Sequence, residues 1–197
     1  MGDTAELVIE KDGVKTVYIL EHCTVFYGNT VTYTYHILEV KRTNIDEKGA
    51  NKMIAIGCDH AAVNLKKAIM AHLDEKQIPY VDLGTDGTSC DYPVIAKAVC
   101  EKVLSGEAEK GILLCGTGIG MSIAANKFKG IRAAVCSDCF SVRYTRLHNN
   151  ANVLCMGERV IGQGLALELV DIFLETGYEG GRHQRRLDLI TDIENKE

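Results

Sequence analysis

Several features of membrane, secreted and nucleic-acid-binding proteins are missing from this chain of 197 residues. No apolar run approaches the ~20 residues of a membrane-spanning helix, so we expect no membrane partner. The first residues, MGDTAELVIEKDG, lack the basic and apolar segments of a secretory signal. The 22 Lys and Arg are outnumbered by 27 Asp and Glu, so no overall positive charge attracts nucleic acid.

Proline is also scarce, with two residues beside 19 glycines, which predicts long regular elements joined by tight turns. The hydrophobic share of 46% and charged share of 25% are those of a globular protein and exclude extensive disorder. Of the eight cysteines, Cys100, Cys115, Cys136 and Cys155 lie inside apolar runs. Without a secretory signal, we interpret these residues as reduced thiols in a cytoplasmic protein rather than as a disulfide framework.

Residues 1–52 have their own pattern, in which strand-like stretches are separated by turn signals. The signals are Asp12-Gly13 and Gly28-Asn29, and polar and apolar residues alternate over 31–40. We predict a three-stranded β meander, with strands at 6–10, 14–21 and 31–40, and a linker at 42–52. Three strands alone are marginally stable, so we expect this extension to mediate an interaction or form an oligomer edge, with no function that we can assign.

From residue 53 to residue 197 the pattern changes to strands that alternate with helices. Predicted strands cover 53–58, 79–83, 111–115, 131–136 and 152–157. Helices are predicted at 61–76, from 93 to about 103, from the glycines near 116 to about 128, and at 138–148, 163–176 and 183–194. This alternation predicts an α/β domain with a five-stranded parallel sheet and helices on both faces.

Ligands of parallel sheets bind at the carboxyl ends of the strands. Three groups of residues follow predicted strands directly: Asp59 with His60, the segment 115–120, and the segment 137–139. Asp59 is suited to contact a polar ligand, although capping of the next helix explains it equally well. The last group overlaps the C-x-x-C pair Cys136 and Cys139, which we interpret as structural because no second pair of metal ligands accompanies it.

The segment 111–126, GILLCGTGIGMSIAAN, predicts a buried strand, a glycine-rich turn and a helix. Gly116, Gly118 and Gly120 allow the backbone to approach a ligand, and amides there can bind an anion or stabilise an oxyanion. The alternative is a tight connection with packing glycines. Dinucleotide binding is disfavoured, because the motif needs glycine where Met121 stands and belongs after the first strand.

Three further features carry reactive or charged side chains. Cys115 directly precedes the amide-rich turn, where a thiolate can be a base or a nucleophile, unless it is simply another buried cysteine. His148 can serve as acid or base, although alone it would be interpreted as a solvated loop histidine. Arg182 and Arg186 lie four residues apart in an acidic chain, where they match a phosphate or form a solvated charged surface.

Five longer motifs together resemble a known family. The motifs are GCDHAA, DYP at 91–93, CGTGIGMSIAANK, RLHNNANVL and YEGGRHQRR. In this order they resemble ribose-5-phosphate isomerase, type B, from residue 53 to about residue 194. The resemblance implies a flavodoxin-like (Rossmann-like) sheet and an aldose–ketose isomerisation without metal or cofactor. It also implies a homo-oligomer, dimer or tetramer, whose active sites are formed by two subunits.

The resemblance also implies a role for each matching residue. Cys115 is the base that moves a proton between C1 and C2, and His148 assists ring opening. The enediolate is stabilised by the turn Gly116, Thr117, Gly118, Ile119 and Gly120. The sugar is bound by Asp59, His60 and Asn149. The phosphate is bound by Arg159, Arg182 and Arg186, with His183 nearby.

Other functions remain open at this point. An isomerase of six-carbon sugar phosphates, such as allose or galactose 6-phosphate, has the same chemistry. A hydrolase or thiol transferase could use Cys115 and His148, but it gives no reason for the arginine cluster. A non-catalytic nucleotide-binding module is the third class.

Overall fold

The computed structural model describes residues 4–196 apart from 12–13, 28–29 and 45–52, and it describes side chains from Met53 onward. The chain divides into two compact units, of which the larger comprises Met53–Lys76 and Tyr80–Glu197. Among the described helices, none is long and apolar enough to cross a membrane.

The N-terminal unit is an antiparallel sheet with the strand order β1-β2-β3. Its strands are Thr4–Lys11, Val14–Tyr27 and Thr30–Asn44. The predicted meander is therefore observed, but its strands are longer than the polar–apolar alternation suggests. Residues 42–44, predicted as linker, belong to β3 because β2 pairs with β3 as far as Val14 and Asn44. The predicted turns 12–13 and 28–29 and the remaining linker 45–52 lie outside the described residues.

The larger unit contains a five-stranded parallel sheet, which confirms the predicted class. Its strands are β4 Ile54–Cys58, β5 Tyr80–Asp82, β6 Lys110–Cys115, β7 Ala133–Val135 and β8 Val153–Gly157. Its helices are α1 Val63–Glu75, α2 Tyr92–Leu104, α3 Ile119–Ala125, α4 Cys139–Asn149, α5 Gln163–Glu175 and α6 Gln184–Glu194. A short 3₁₀ turn, Gly181–His183, precedes α6.

The strand order of this sheet is β5-β4-β6-β8-β7. Counted within the sheet it is 2-1-3-5-4, whereas flavodoxin has 2-1-3-4-5, so the last two strands are exchanged. The strands β4, β6 and β8 are buried throughout, which explains their continuous apolar sequences. The helices α1, α4 and α5 pack together, and α2 packs with α3, as right-handed crossovers on two faces require.

The helix α3 and the strand β7 are both shorter than predicted, and the side chain of Asn126 links them. The helix α3 ends at Ala125, rather than near residue 128, and Asn126 follows it. The Asn126 side chain donates to the carbonyl of Ala133 and accepts from its N–H, each over 2.8 Å. These two bonds mark the start of β7, which covers Ala133–Val135 rather than 131–136.

Candidate active site

The first part of the site is the cysteine turn, residues 115–120, at the carboxyl end of the central strand β6. The Cys115 side chain is 6% exposed, and the Gly118 N–H donates a hydrogen bond to its Sγ over 3.1 Å. The turn therefore places a backbone amide donor directly on the sulfur. Gly118 has φ of +78°, a left-handed conformation that glycine adopts without strain, and α3 begins at the next residue.

The strand β8 packs closely against this turn. A Cβ on Gly157, the last residue of β8, would lie 2.6 Å from the backbone of Thr117, so this approach requires glycine. The Arg159 N–H then donates to the carbonyl of Gly116 over 3.1 Å. The Arg159 side chain lies 3.6 to 3.7 Å from the position of a Cβ on Gly116. Arg159 therefore lies with the cysteine turn, and not with the other two arginines of the predicted phosphate site.

Asp59 lies beside the cysteine turn, at the end of the neighbouring strand β4. Its N–H donates to the carbonyl of Leu114, the residue before Cys115, over 3.1 Å. Its Oδ1 accepts from the Ala61 N–H over 2.9 Å, and its side chain is buried, whereas His60 is exposed. Asp59 and the cysteine turn thus meet at the edge where ligands of parallel sheets bind.

The alternative that Asp59 only caps α1 is wrong. The helix begins at Val63, and Glu158 Oε2 accepts the N–H of Leu65, the third helical residue, over 2.9 Å. Glu158 also donates its own N–H to the carbonyl of Cys115 over 3.0 Å. One residue therefore stabilises the first turn of α1 and fixes the end of β6, a role that the sequence analysis missed.

The second part of the site is the arginine pocket, an open cavity of about 330 Å³. It is lined by His148, Asn149, Arg182, His183 and Arg186. The rings of His148 and His183 are stacked, with centroids 4.0 Å apart and planes 9° apart. The structure thus brings the predicted phosphate-binding arginines together with the predicted ring-opening histidine.

Charges in and beside the arginine pocket act on His183. Arg182 Nε donates to His183 Nε2 over 3.3 Å, and Glu179 Oε2 lies 3.3 Å from the same nitrogen. Desolvation, followed by the charges of His148 and Arg182, lowers the pKa of His183, whereas Glu179 opposes the shift. The neutral imidazole of His183 can therefore accept the hydrogen bond from Arg182 near neutral pH.

The two parts lie at opposite ends of the strands, with the cysteine turn at the carboxyl ends and the arginine pocket at the amino ends. Cys115 and Gly157 are register partners at the carboxyl ends of β6 and β8. Arg132, which precedes β7, donates from Nε to the carbonyls of Asn149 and Asn150 over 3.1 and 3.0 Å, so α4 ends at the amino edge. Six strand residues span roughly 16 Å, and the eleven residues of α4 span a similar length.

One group of three side chains among the described residues could approach a metal ion. His148, Glu179 and His183 have ligand atoms within 4.8 Å of one another. However, the two imidazoles are nearly parallel, so their in-plane lone pairs do not converge on one point. The guanidinium of Arg182 also approaches His183 Nε2. This arrangement suits an anion better than a cation.

Five of the described cysteines other than Cys115 have environments that suppress ionisation of the thiol. Burial raises the pKa of Cys58, Cys100 and Cys136 to about 11. Near the C-x-x-C pair, Asp138 caps α4 by accepting the Ser141 N–H over 2.7 Å. These contacts support the structural interpretation of that segment.

The comparisons with known proteins agree with this geometry. The model of the Ribose/Galactose Isomerase family matches residues 54–190. The chain belongs to the ribose/galactose isomerase family. Over 146 residues it is 51% identical to ribose-5-phosphate isomerase B of Escherichia coli, covering 74% of this chain and 98% of that protein.

Two further relatives of the chain are informative. A solved ribose 5-phosphate isomerase of Thermotoga maritima aligns with a TM-score of 0.71 at 50% identity, over 73% of this chain and 99% of that one. A galactose-6-phosphate isomerase subunit of Clostridium acetobutylicum is 43% identical over 136 residues, 68% of this chain and 79% of that protein.

Membership in an isomerase family decides between the classes of function considered above. In one copy of this isomerase, Cys115 and His148 lie at opposite edges of the sheet.

Proposed function

We propose that the chain interconverts ribose 5-phosphate and ribulose 5-phosphate through an enediolate, without metal or cofactor. The observation that carries this proposal is the hydrogen bond from the Gly118 amide to Cys115 Sγ. Proton removal beside a carbonyl creates an oxyanion, so base and amide donors must be neighbours. Cys115 removes the proton from C2 of the open-chain aldose, and the amides of the cysteine turn stabilise the enediolate. The same thiol then returns the proton to C1, while the hydroxyl proton of O2 passes to O1, so that the carbonyl group moves from C1 to C2.

The remaining residues bind and prepare the sugar. His148 donates a proton to the ring oxygen as the cyclic sugar opens, a role suited to a side chain that can serve as acid or base. Asp59, His60 and Asn149 bind hydroxyl groups. Arg182 and Arg186 bind the phosphate, with His183 beside them, and Arg159 binds it from the side of the cysteine turn. These contacts fix the position of the phosphate, which is far from the reacting carbons.

We further propose that two copies of the chain form each active site. The support is geometric, because the base and the main phosphate-binding arginines lie at opposite edges of one sheet. A sugar phosphate of five carbons is too short to span roughly 16 Å of strand. Two copies related by a twofold axis can bring the cysteine turn of one chain to the arginine pocket of the other, in a dimer or a tetramer.

One flank of the larger unit has the exposed apolar surface that such pairing needs. Val135 on the edge strand β7 is 45% exposed, and Phe140 on α4 is 70% exposed. Phe140, Tyr144 and His148 follow one another along α4, with ring centroids 4.2 and 5.0 Å apart. This surface runs from the cysteine turn, which contacts Val135, towards the arginine pocket.

Replacement of the pocket arginines tests their assignment to the phosphate. We expect Arg182→Ala and Arg186→Ala each to raise KM about ten- to a hundredfold, because charge-assisted hydrogen bonds contribute about 1.5–3 kcal/mol. Steady-state kinetics with ribose 5-phosphate measure the effect. Arg185→Ala is the matched control, since Arg185 is outside the set of residues that line the pocket. Unchanged kinetics in both pocket variants would indicate that Arg182 and Arg186 belong to a solvated charged surface and do not bind the phosphate.

A six-carbon sugar phosphate is the second candidate substrate, because a galactose-6-phosphate isomerase subunit is also a relative. The higher identity to ribose-5-phosphate isomerase B favours the pentose. Coupled assays that compare kcat/KM for ribose 5-phosphate with allose and galactose 6-phosphates decide between them. A higher kcat/KM for a hexose phosphate would contradict the pentose assignment and leave the isomerase chemistry intact.

The division into an extension, 1–52, and a catalytic domain, 53–197, predicts the effect of a truncation. A chain that begins at Met53 should fold and isomerise ribose 5-phosphate with kcat within about twofold of the full chain, because every proposed site residue lies after that point. Circular dichroism and steady-state kinetics measure both properties. A truncated chain that folds and assembles but lacks activity would assign the extension a catalytic role.

We also propose a cytoplasmic location. Seven of the eight cysteines lie in the part of the chain with described side chains, and these seven are free thiols. A reducing compartment maintains this state.

The proposed reaction is the isomerisation step of the pentose phosphate pathway.

A further inference from the structure

The N-terminal sheet has one apolar face, which the alternation and the register of its strands define. Residues two positions apart in a strand belong to the same face, and so do register partners in neighbouring strands. Leu7 pairs with Tyr18, and Leu20 pairs with Ile37. The face that contains these pairs, here called the apolar face, has hydrophobic residues from all three strands: Leu7, Ile9, Tyr18, Leu20, Ile37 and Val40.

The opposite face of this sheet is polar. The register places on it every glutamate of the three strands, namely Glu6, Glu10, Glu21 and Glu39. The apolar face has Lys11 and Arg42 near one of its ends. An antiparallel sheet with this pattern buries one face and leaves the other in water.

The apolar face needs a second layer, because the hydrophobic face of a sheet must pack against another element. The strands 4–11, 14–27 and 30–44 form one layer, without a helix or a second sheet among them. The family model begins at residue 54, and the aligned 146 residues cover 98% of the Escherichia coli relative. An isomerase domain of this family therefore exists without such a sheet and does not need to supply its cover.

The size of the apolar face suits a pair of identical sheets. The strands have 8, 14 and 15 residues. With ~4.8 Å between strands and ~3.3 Å per residue, they cover roughly 600 Å². Two copies would together remove about 1,200 Å² from water, which exceeds the ~1,000 Å² that a specific interface requires.

The two cationic residues favour one direction for this pair. Two copies can meet face to face through a twofold axis that runs either along the strands or across them. An axis along the strands would bring Lys11 and Arg42 of both copies to the same end, where like charges repel. An axis across the strands places them over the other end of the partner sheet, where Phe26 pairs with Val31.

We propose that the apolar faces of two copies pack together as a two-layered sandwich, a second contact between the two chains of the proposed dimer. The segment 45–52 has eight residues and can extend over at most ~28 Å, so each sheet remains close to its own isomerase domain. Two chains that are already associated present their sheets to each other at high local concentration. This contact is independent of the isomerase chemistry.

Photo-cross-linking of the full chain tests the contact directly. Tyr18 and Ile19 are neighbours in β2 that belong to opposite faces. The photoreactive residue p-benzoylphenylalanine in place of Tyr18 should join two chains, which doubles the mass on a denaturing gel, and peptide mass spectrometry should locate the joined residues within 4–44. The same residue in place of Ile19 is the matched control and should give at least about tenfold less of this product.

Dissociation on dilution provides the second measurement. Leu7→Glu places a charge on the apolar face, and Val8→Glu places the same charge on the polar face of the same strand. The Leu7→Glu dimer should dissociate at a concentration at least about tenfold higher than the Val8→Glu dimer, and close to that of a chain that begins at Met53, because a buried unpaired charge is costly. Sedimentation velocity measures both, and circular dichroism checks the sheet.

Three outcomes would overturn the proposal. Cross-links from position 18 to residues 53–197 would show that the larger unit covers the apolar face. Equal yields from positions 18 and 19 would leave the face to a different protein. Equal dissociation of folded Leu7→Glu and Val8→Glu would show that the faces do not pair, and if Leu7→Glu unfolds the sheet, the cross-linking result decides. None of these measurements uses a substrate, so their failure leaves the proposed function intact.

Discussion

Replacement of Cys115 by serine is expected to lower kcat for ribose 5-phosphate about 10²- to 10⁴-fold, the usual contribution of a general base. At neutral pH an alkoxide is far less available than a thiolate, although the Gly118 amide can still donate to the serine oxygen. Two measurements check this expectation: the turnover, and the exchange of the C2 proton of the sugar with deuterium from solvent. Both should be lost together.

Two controls separate loss of the base from loss of the fold. Cys136→Ser changes a cysteine of the same 6% exposure whose pKa burial raises to about 11, and it should retain most of the turnover. Phosphate ligands should still bind Cys115→Ser, because the arginine pocket is at the other edge of the sheet. Retention of more than about a tenth of wild-type turnover by Cys115→Ser would rule out the base role, given the size of general-base effects.

Two inactive variants should restore activity when they are mixed. In a dimer with shared sites, Cys115→Ser lacks the base and the double variant Arg182→Ala, Arg186→Ala lacks the phosphate-binding groups. Half of randomly paired dimers are mixed, and each mixed dimer has one intact site. The mixture should therefore recover about a quarter of wild-type activity. Co-expression with two different affinity tags, followed by purification of the mixed dimer, should raise the recovery to about a half, because every purified dimer then has one intact site of two.

The control for this experiment is a chain that carries all three substitutions. Paired with Cys115→Ser, it leaves every site without a base, so no activity should return. Activity of the mixture equal to the sum of the two parent variants would mean that each chain contains a complete site, which would contradict sharing. The single-chain geometry favours the shared arrangement, since Arg132 fixes the end of α4 at the amino edge of β7.

The sequence predicts the sheet and the cysteine turn well because both depend on local patterns. The run from Gly111 to Cys115 is apolar on both faces, as a buried parallel strand must be, and glycine follows where the chain turns closely. The position of Asp59 follows from the same rule, because the carboxyl ends of parallel strands share one edge. These inferences need no knowledge of which strands are neighbours.

The parts that the sequence does not reveal depend on strand order and on distant partners. The strands β6 and β8 are both continuous apolar runs, and nothing in these runs indicates that β8 lies between β6 and β7. The contact of Glu158 with Leu65 joins residues 93 positions apart and exists only in that order. Glu179 was missed for a similar reason, since its neighbours come from α4 and from the turn that follows it.

The location of the cysteine turn and the arginine pocket along one flank has a consequence for the size of the assembly. Val135 contacts the turn, and the helix that follows β7 ends at the pocket. Two chains related by a twofold axis would join the cysteine turn of each chain to the arginine pocket of the other, and would leave neither part unmatched. Head-to-tail stacking would leave an unmatched cysteine turn at one end and an unmatched arginine pocket at the other, and would extend into an open filament. In the proposed dimer, the arrangement that completes the chemistry would also limit growth, and it would yield a discrete particle rather than a fibre.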